Sequence, residues 1–444
     1  MLVLCQMEIE DRSVIVLGYK LSRFNVLFKK DNKFFISNTF THSLIELEES
    51  EYEGMMKEDL SLFSKESVDV FIGEGICVDS ELDELGLLRY AYDLAKNNSD
   101  YMEFVVAPTL DCNFACPYCF ETKRHHFMEK DIQQSILDFY LEQVRLSKFK
   151  KVKFAWYGGE PLLQFDTIRN MTKQVNRINE KNNVTCDVVM TTNGYLLTEE
   201  IVCELERLGF KYIQITIDGP KEIHDNRRML VSGMGTFDKI IENIKLFKDS
   251  KVEVSVRINV DKENASMYLE VSRLINSFNM SNVRCYPALV EFTPNQEACR
   301  ECKCMTAAEF SKFASTEARE YYYEKGGLNC GNISVNCGAE HIYSFVIDDY
   351  GDVYKCWNSV GYENERLFNL KDRNNLNPII LSKYLGRDPF SEKECSKCAY
   401  LPICGGGCAY DFLFKGTHTC VPEKFLYEDI ITKEVYGDEG CQEG

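Results

Sequence analysis

An α/β architecture built on a parallel sheet is what this sequence predicts, and three observations lead to it. Six short runs rich in β-branched and aromatic residues recur between residues 101 and 290. Stretches with apolar residues at helical spacing lie between them. Cap and turn residues punctuate the alternation. Strands and helices in regular succession imply parallel strands joined by right-handed crossovers, in an open doubly wound sheet or in a barrel.

Ahead of that core, residues 1–100 read as a small module of strands and helices. Arg23–Phe28, Lys33–Ser37 and Ser43–Leu47 are β-prone, and Lys30-Asp31-Asn32 between the first two predicts a hairpin. An acidic segment, Glu48 to Glu58, precedes helical patterns at Leu60–Phe63 and Glu81–Lys96. Such a module serves either as a structural cap or as a docking surface for a peptide. The expected core strands are Phe104–Pro108, Val152–Tyr157, Asp187–Thr192, Tyr212–Ile217, Val252–Val260 and Val283–Ala288. Ile132, Ile136, Phe139, Tyr140 and Val144 keep a helical period across Asp131–Leu146. Thr198–Leu208 opens on a good cap residue and stops at Gly209, and Ile240, Ile241, Ile244 and Phe247 mark a helix over Thr236–Phe247. A helix over about Thr306–Lys325 then leads into a cysteine-rich region, where Phe345–Lys355 reads as a hairpin turning at Asp349–Gly351. The end of the chain, 426–444, is expected as a tail, frayed from Tyr436.

A net charge of −19 over 444 residues argues against nucleic acid or an anionic membrane as partner, since either needs a basic face. The apolar runs fall short of a membrane span. The opening MLVLCQMEIED turns acidic at once, unlike a secretion signal, so a cytoplasmic location is expected. Twenty cysteines exceed what packing needs, and six histidines are too few for mixed zinc sites to account for them. In a long chain without an export signal they point to metal or cluster ligation rather than disulfides.

Cys112, Cys116 and Cys119 stand at CxxxCxxC spacing just after the first core strand. Three thiolates on so tight a loop can close around one iron–sulfur cluster, and a cubane needs four ligands, so one iron is left open. A zinc knuckle lacking a ligand is the alternative. After the second strand comes Tyr157-Gly158-Gly159-Glu160-Pro161. Its glycines allow close backbone approach, and Glu160 offers a carboxylate to a cation such as an amino group. Both motifs occupy C-terminal strand ends, where parallel sheets bind ligands. Farther on, Cys395, Cys398, Cys404, Cys408 and Cys420 follow Cys330, Cys337 and Cys356. A lone CxxC would suggest zinc or a redox pair. Cys299, Cys302 and Cys304 read as reduced cysteines, with a metal-scavenging loop or an exchange thiol as alternatives. Cys5, Cys77, Cys186, Cys203 and Cys285 read as buried residues. His224 is expected to be structural, and His125 and His126 to lie on a solvated loop.

The cysteine loop paired with the Gly-Gly-Glu turn resembles the radical S-adenosylmethionine (SAM) superfamily. That resemblance implies a partial (β/α)6 barrel over 101–305, in which Cys112, Cys116 and Cys119 hold a 4Fe–4S cluster and SAM chelates its open iron. It sets Tyr118 against the adenine and Gly158, Gly159 and Glu160 at the methionine amino group. It brings Thr216 and Arg257 to the ribose and carboxylate; a plain strand hydroxyl and a barrel ion pair are the alternatives for these two. The later cysteines resemble the SPASM domain, here 330–425 after a linker at 306–329, which binds two auxiliary 4Fe–4S clusters. Carried across, Cys395, Cys398, Cys404 and Cys420 hold one, and Cys337, Cys356 and Cys408 the other, with Cys330 as its fourth ligand. Three clusters in all are implied.

In this family a reduced cluster cleaves SAM to a 5′-deoxyadenosyl radical that abstracts hydrogen, and auxiliary clusters accept the electron left over. The resemblance implies modification of a ribosomally synthesised precursor peptide, with a cysteine thioether as the expected product and a reductant such as ferredoxin or flavodoxin. Carbon–carbon cross-linking and formylglycine formation are the rivals. Sulfatase-maturing relatives carry an aspartate directly after the cysteine matching Cys356, where this chain has Trp357. A non-catalytic iron–sulfur or zinc protein would have no use for the Gly-Gly-Glu turn beside an open three-cysteine site.

Overall fold

In the computed structural model, which describes residues 18–146, 149–290, 303–318 and 337–436, the N-terminal hairpin forms where its turn residues require it. β1 (Tyr19–Leu21) is followed by β2 (Asn25–Lys30), β3 (Lys33–Asn38) and β4 (Ser43–Leu47). Asp31 and Asn32, joining β2 to β3, take φ of 49° and 60°, the positive pair that a two-residue hairpin loop needs. β2, β3 and β4 make an antiparallel sheet, while β1 pairs with β5 (Cys77–Asp79). The acidic segment is helix α1 (Glu49–Met56): Glu48 and Glu51 close its first turn reciprocally, and acidic residues suit a helix N-terminus. α2 (Lys65–Gly73) and α3 (Glu84–Lys96) complete the module.

Six strands follow: β6 (Tyr101–Val106), β7 (Lys151–Trp156), β8 (Thr185–Thr192), β9 (Phe210–Ile217), β10 (Glu253–Val260) and β11 (Val283–Leu289). All are parallel and adjacent in chain order, the partial (β/α)6 barrel. The connecting helices are α4 (Lys130–Leu146), α5 (Phe165–Asn182), α6 (Glu199–Arg207), α7 (Lys221–Arg227), α8 (Phe237–Lys245) and α9 (Tyr268–Asn276). Strand alternation divides the sheet into two layers. Phe104, Val106, Phe154, Trp156, Met190, Ile213 and Ile215 join the large core with the helices. Val105, Ala107, Ala155 and Val189 form a separate inner layer with Tyr157, Tyr212 and Trp357 at its margin.

α10 (Ala307–Thr316) starts at the Thr306–Glu309 capping box; residues 319–325 of the expected helix lie outside the described residues. β12 (Ser344–Ile347) and β13 (Asp352–Tyr354) form the expected hairpin, with Gly351 at φ 77° in its turn. Unforeseen was its destination. β12 lies parallel to β6, from Ser344 opposite Glu103 to Ile347 opposite Val106, so the cysteine-rich region extends the barrel sheet, and β14 (Phe368–Asn369) ends it. The tail expected from 426 is a correction: Glu423–Tyr436 is a helix. It buries Leu426, Tyr427, Ile430 and Ile431 and packs on α10 and β4. Apolar burial of that extent holds the helix in place; residues 437–444, where fraying is expected, lie outside the described residues.

The N-terminal module sits on this C-terminal region. Phe24, Leu88 and Tyr92 share a core with Phe390 and Leu401, and Lys30 pairs with Asp429 at 2.8 Å and Arg89 with Asp388 at 2.7 Å. Among the described residues, no helix is long and apolar enough to cross a membrane.

Candidate active site

The cysteine loop is held by backbone on both sides. The N–H groups of Gly159 and Glu160 donate to the carbonyls of Thr109 (3.2 Å) and Asp111 (2.8 Å). On the other side Ala115 N–H donates to Met229 O (2.8 Å) and Val231 N–H to Asn113 O (3.0 Å). The first pair explains the two glycines. Gly158 has φ 119°, and a Cβ there would stand 2.3 Å from Thr109 O; one on Gly159 would stand 2.3 Å from Asp111 O. No side chain fits where the two loops touch, so the glycines dock the cysteine loop onto the strand ends.

Burial pushes the Cys112 thiol up to about 12, and the charges of Glu160 and Cys116 act in the same direction. Cys119 is raised to about 11, by burial and then by Glu121, with Cys116 adding to it. Cys116 is raised by burial, opposed by the Arg228 guanidinium. None of the three is in a disulfide. Three free thiols on one short loop, with the buried Arg228 guanidinium near Cys116, suit an iron–sulfur cluster, whose thiolate ligands carry negative charge.

Glu160 is fully buried. Its Oε1 accepts from Leu162 N (3.0 Å) and Thr192 Oγ1 (2.6 Å), and its Oε2 from Asn193 N (2.7 Å). The carboxylate thus ties the Gly-Gly turn to the end of β8, with lone-pair capacity left for a ligand. Tyr118 accepts from Arg228 Nη1 (2.8 Å) and Asn259 Nδ2 (3.3 Å) at its hydroxyl, and the Arg227 guanidinium lies 5.2 Å from its ring centroid. Thr216 and Arg257 are opposite one another on β9 and β10. Arg257 donates to Asn259 Oδ1 (2.8 Å).

Several groups around this site escaped sequence reasoning. Asn193 donates to Asn113 Oδ1 at 2.7 Å and lies 3.9 Å from Cys112 Sγ; its position at the third strand end was the available signal. Arg228 and Glu121 had no motif to mark them. Burial lifts Glu121 to about 7, and Tyr157 is its near polar neighbour. His125 is exposed as expected, whereas His126 is half-buried, with its Nδ1 2.7 Å from Asp349 Oδ2. His224 is buried and structural, accepting from Asp218 N through Nδ1 (3.3 Å). Cys203, expected to be buried, is exposed.

The later cysteines gather as two sets. Cys356 is raised by burial and by the neighbouring charges of Cys337 and Cys408. Cys404 and Cys420 share a hydrogen bond, raising the first and lowering the second. Cys395 is pushed to about 12 by burial and Glu392, with Cys420 adding to it. Cys398 lies beside Lys424, whose Nζ is 3.6 Å from Cys420 Sγ. Cys299, Cys302, Cys330 and Cys5 fall outside the described residues, whereas Cys304 is described and partly buried.

Residues 106–275 match the model of the radical SAM superfamily, so the chain contains a radical SAM domain. Its sequence is similar to the cysteine-type anaerobic sulfatase-maturating enzyme of Clostridium novyi, 24% identical over 363 residues, 73% of this chain and 94% of that protein. The serine-type enzyme of Bacteroides thetaiotaomicron is 23% identical over 386 residues, 74% of this chain and 90% of that protein. Among solved structures, native anSMEcpe with bound AdoMet and the Kp18Cys peptide superposes with TM-score 0.60 at 21% identity, over 76% of this chain and 99% of that one. Streptococcus suis SuiB bound to precursor peptide SuiA gives TM-score 0.54 at 14% identity, over 91% and 98%. These likenesses carry the fold, and the superfamily implies a 4Fe–4S cluster used with SAM.

Proposed function

We propose that this enzyme is a SPASM-type maturase that modifies a ribosomally synthesised precursor peptide in the cytoplasm, forming a cysteine thioether cross-link. Cys112, Cys116 and Cys119 would hold the SAM-binding cluster. Cys337, Cys356 and Cys408, with Cys330, would hold one auxiliary cluster, and Cys395, Cys398, Cys404 and Cys420 the other. When bound, SAM and its cluster supply the hydrogen-abstracting radical. The chain's own residues do the rest. Gly158, Gly159 and Glu160 fix the cysteine loop, Tyr118 is clamped by Arg228 and Asn259, and Thr216 and Arg257 stand on adjacent strands of the same face. The N-terminal three-stranded sheet offers an edge to a leader peptide by strand addition, and a ferredoxin or flavodoxin is the reductant we expect.

The observation that carries the choice of product is Trp357. Directly after Cys356, its ring meets Tyr157 edge-on with centroids 4.0 Å apart, beside the inner layer of the barrel. The carboxylate expected there for formylglycine formation is replaced by an aromatic wall. The second reading, oxidation of a sulfatase cysteine or serine, draws on the named activity of the relatives above. The two are separated by incubating the reconstituted enzyme with a cysteine-containing peptide encoded beside its gene, then alkylating thiols and weighing the product. Cysteines that resist alkylation with a loss of two hydrogens support the thioether; cysteines still fully alkylated overturn it. A sulfatase peptide converted to formylglycine instead would favour the second reading.

A further inference from the structure

Between the two later cysteine sets sits a guanidinium that the reaction as proposed does not use. Arg387 has no exposed side-chain surface. Its Nη1 is 3.3 Å from Glu340 Oε2 and its Nε 3.2 Å from Glu392 Oε1; Glu340 is buried and the Glu392 side chain is 9% exposed. Nη2 also reaches Glu392 Oε2 at 3.5 Å, and two donors go to backbone: Nη1 to Gly407 O at 3.2 Å, and Nη2 to Gly406 O.

Those glycines lie in Cys404-Gly405-Gly406-Gly407-Cys408, the turn that leads from a ligand of one set to a ligand of the other. All three have positive φ, at 58°, 89° and 72°. A Cβ on Gly407 would stand 2.1 Å from Thr419 O, next to Cys420. The turn therefore has one tight geometry, and Arg387 binds its carbonyls. The two carboxylates divide between the sets: Glu340 N–H donates to Cys337 O at 3.1 Å, and a Glu392 oxygen lies within 4.8 Å of Cys395 Sγ. His418 Nδ1, 3.5 Å from Glu392 and 3.8 Å from Cys395, extends the second side. Lys96 reaches in from α3 to the carbonyl of Arg387 at 3.1 Å.

Stability is a poor reason for this arrangement. Buried ion pairs commonly give no more than well-packed apolar residues of the same volume. What apolar residues cannot supply is a fixed field at two neighbouring sites. A cation favours the more negative, reduced form of a cluster, and a carboxylate disfavours it.

We propose that Arg387 is the positioning residue shared by the two auxiliary cluster sites, holding the turn that carries a ligand of each and raising both reduction potentials, while Glu340 and Glu392 each lower one. This rests on reading the cysteine sets as cluster ligands. The test uses the full chain with Cys112, Cys116 and Cys119 replaced by alanine, so that only auxiliary clusters titrate. Iron is counted first, with about eight per chain expected for two cubanes. The clusters are then titrated with dithionite and followed by electron paramagnetic resonance, a Cys356→Ala variant assigning the two signals.

Glu340→Gln should raise the midpoint of the cluster at Cys337, Cys356 and Cys408 alone. Glu392→Gln should raise only the other. Arg387→Gln should lower both, and Arg387→Lys should restore both towards the parent. An iron-replete Arg387→Gln protein with neither midpoint moved, or only one, overturns the proposal. If that variant loses iron, the glutamate variants decide: each must move its own midpoint and spare the other, and any other pattern overturns it. A parent lacking iron in these sites would instead take down the cluster reading, and this inference with it.

Discussion

His224 shows how one buried side chain sets a pH dependence. Its Nδ1 accepts from Asp218 N (3.3 Å), and Thr236 Oγ1 gives its own proton to Arg228 O (2.6 Å), so Nε2 must donate to Thr236. Both ring nitrogens are committed in the neutral form. Burial, with Arg228 second, lowers its pKa to about 3. Below the ordinary value the unfolded chain takes up a proton that the folded chain refuses, so stability falls as pH drops from about 6.5 towards 3. The loss should be about 2 kcal/mol at pH 5 relative to pH 7. Urea unfolding at the two pH values should show that slope, and His224→Gln should flatten it. Gly159 is the steric counterpart. Because a Cβ there would stand 2.3 Å from Asp111 O, Gly159→Ala must displace the cysteine loop. About 1–3 kcal/mol of stability and most of the iron at Cys112, Cys116 and Cys119 should go with it, read by thermal unfolding and iron assay. At this scale the motif residues were legible and their supports were not. CxxxCxxC and Gly-Gly-Glu announce themselves by spacing, whereas Arg228, Asn193 and Glu121 gain their roles only when distant strand ends meet.

Elements were legible where one periodicity ruled. Each of the six expected barrel strands exists, because their apolar inner and outer faces both need β-prone residues. α5 escaped since its buried stripe includes Thr167, Thr172 and Asn179. Two of those groups accept hydrogen bonds there: Trp156 Nε1 donates to Thr172 Oγ1 (3.0 Å) and Tyr140 OH to Asn179 Oδ1 (2.7 Å). The C-terminal helix was missed for the opposite reason, that its partners lie far away in sequence. Tyr427 is fully buried and its hydroxyl is 2.6 Å from Ser37 Oγ on β3. Tyr427→Ala should therefore cost about 3–5 kcal/mol, where a frayed tail would cost nothing. Tyr427→Phe should cost about 1 kcal/mol for the hydrogen bond alone. Chemical denaturation of the three proteins side by side checks both values.

At the scale of the whole molecule, the hairpin of β12 and β13 makes the barrel and the cysteine-rich region one body. Its sheet pairing with β6 is reinforced at the turn by residues just beyond the cysteine loop. Arg124 Nη2 is 2.7 Å from Asp348 Oδ2 and its Nε 3.1 Å from Asp349 Oδ1, while His126 Nδ1 is 2.7 Å from Asp349 Oδ2. Tyr350 covers them, 4.0 Å from the His126 ring and 4.2 Å from the Arg124 guanidinium. Both aspartates are fully buried, so removing Arg124 takes the shared guanidinium from two buried carboxylates. Arg124→Met should cost about 3–5 kcal/mol, the range for breaking a buried pair. Arg366→Met, which breaks the half-exposed pair with Asp352 on the same hairpin, should cost less than about 1 kcal/mol. The difference tests whether the staple or the strand pairing dominates. Fluorescence gives a second reading, because Trp156 and Trp357 are the two tryptophans and Trp156 is fully buried. If the staple holds the hairpin against the cysteine loop, Arg124→Met should loosen the Trp357–Tyr157 contact and shift Trp357 emission to the red in the folded metal-free protein. An unshifted spectrum with the full stability loss would mean that β12–β6 pairing alone keeps the aromatic wall in place.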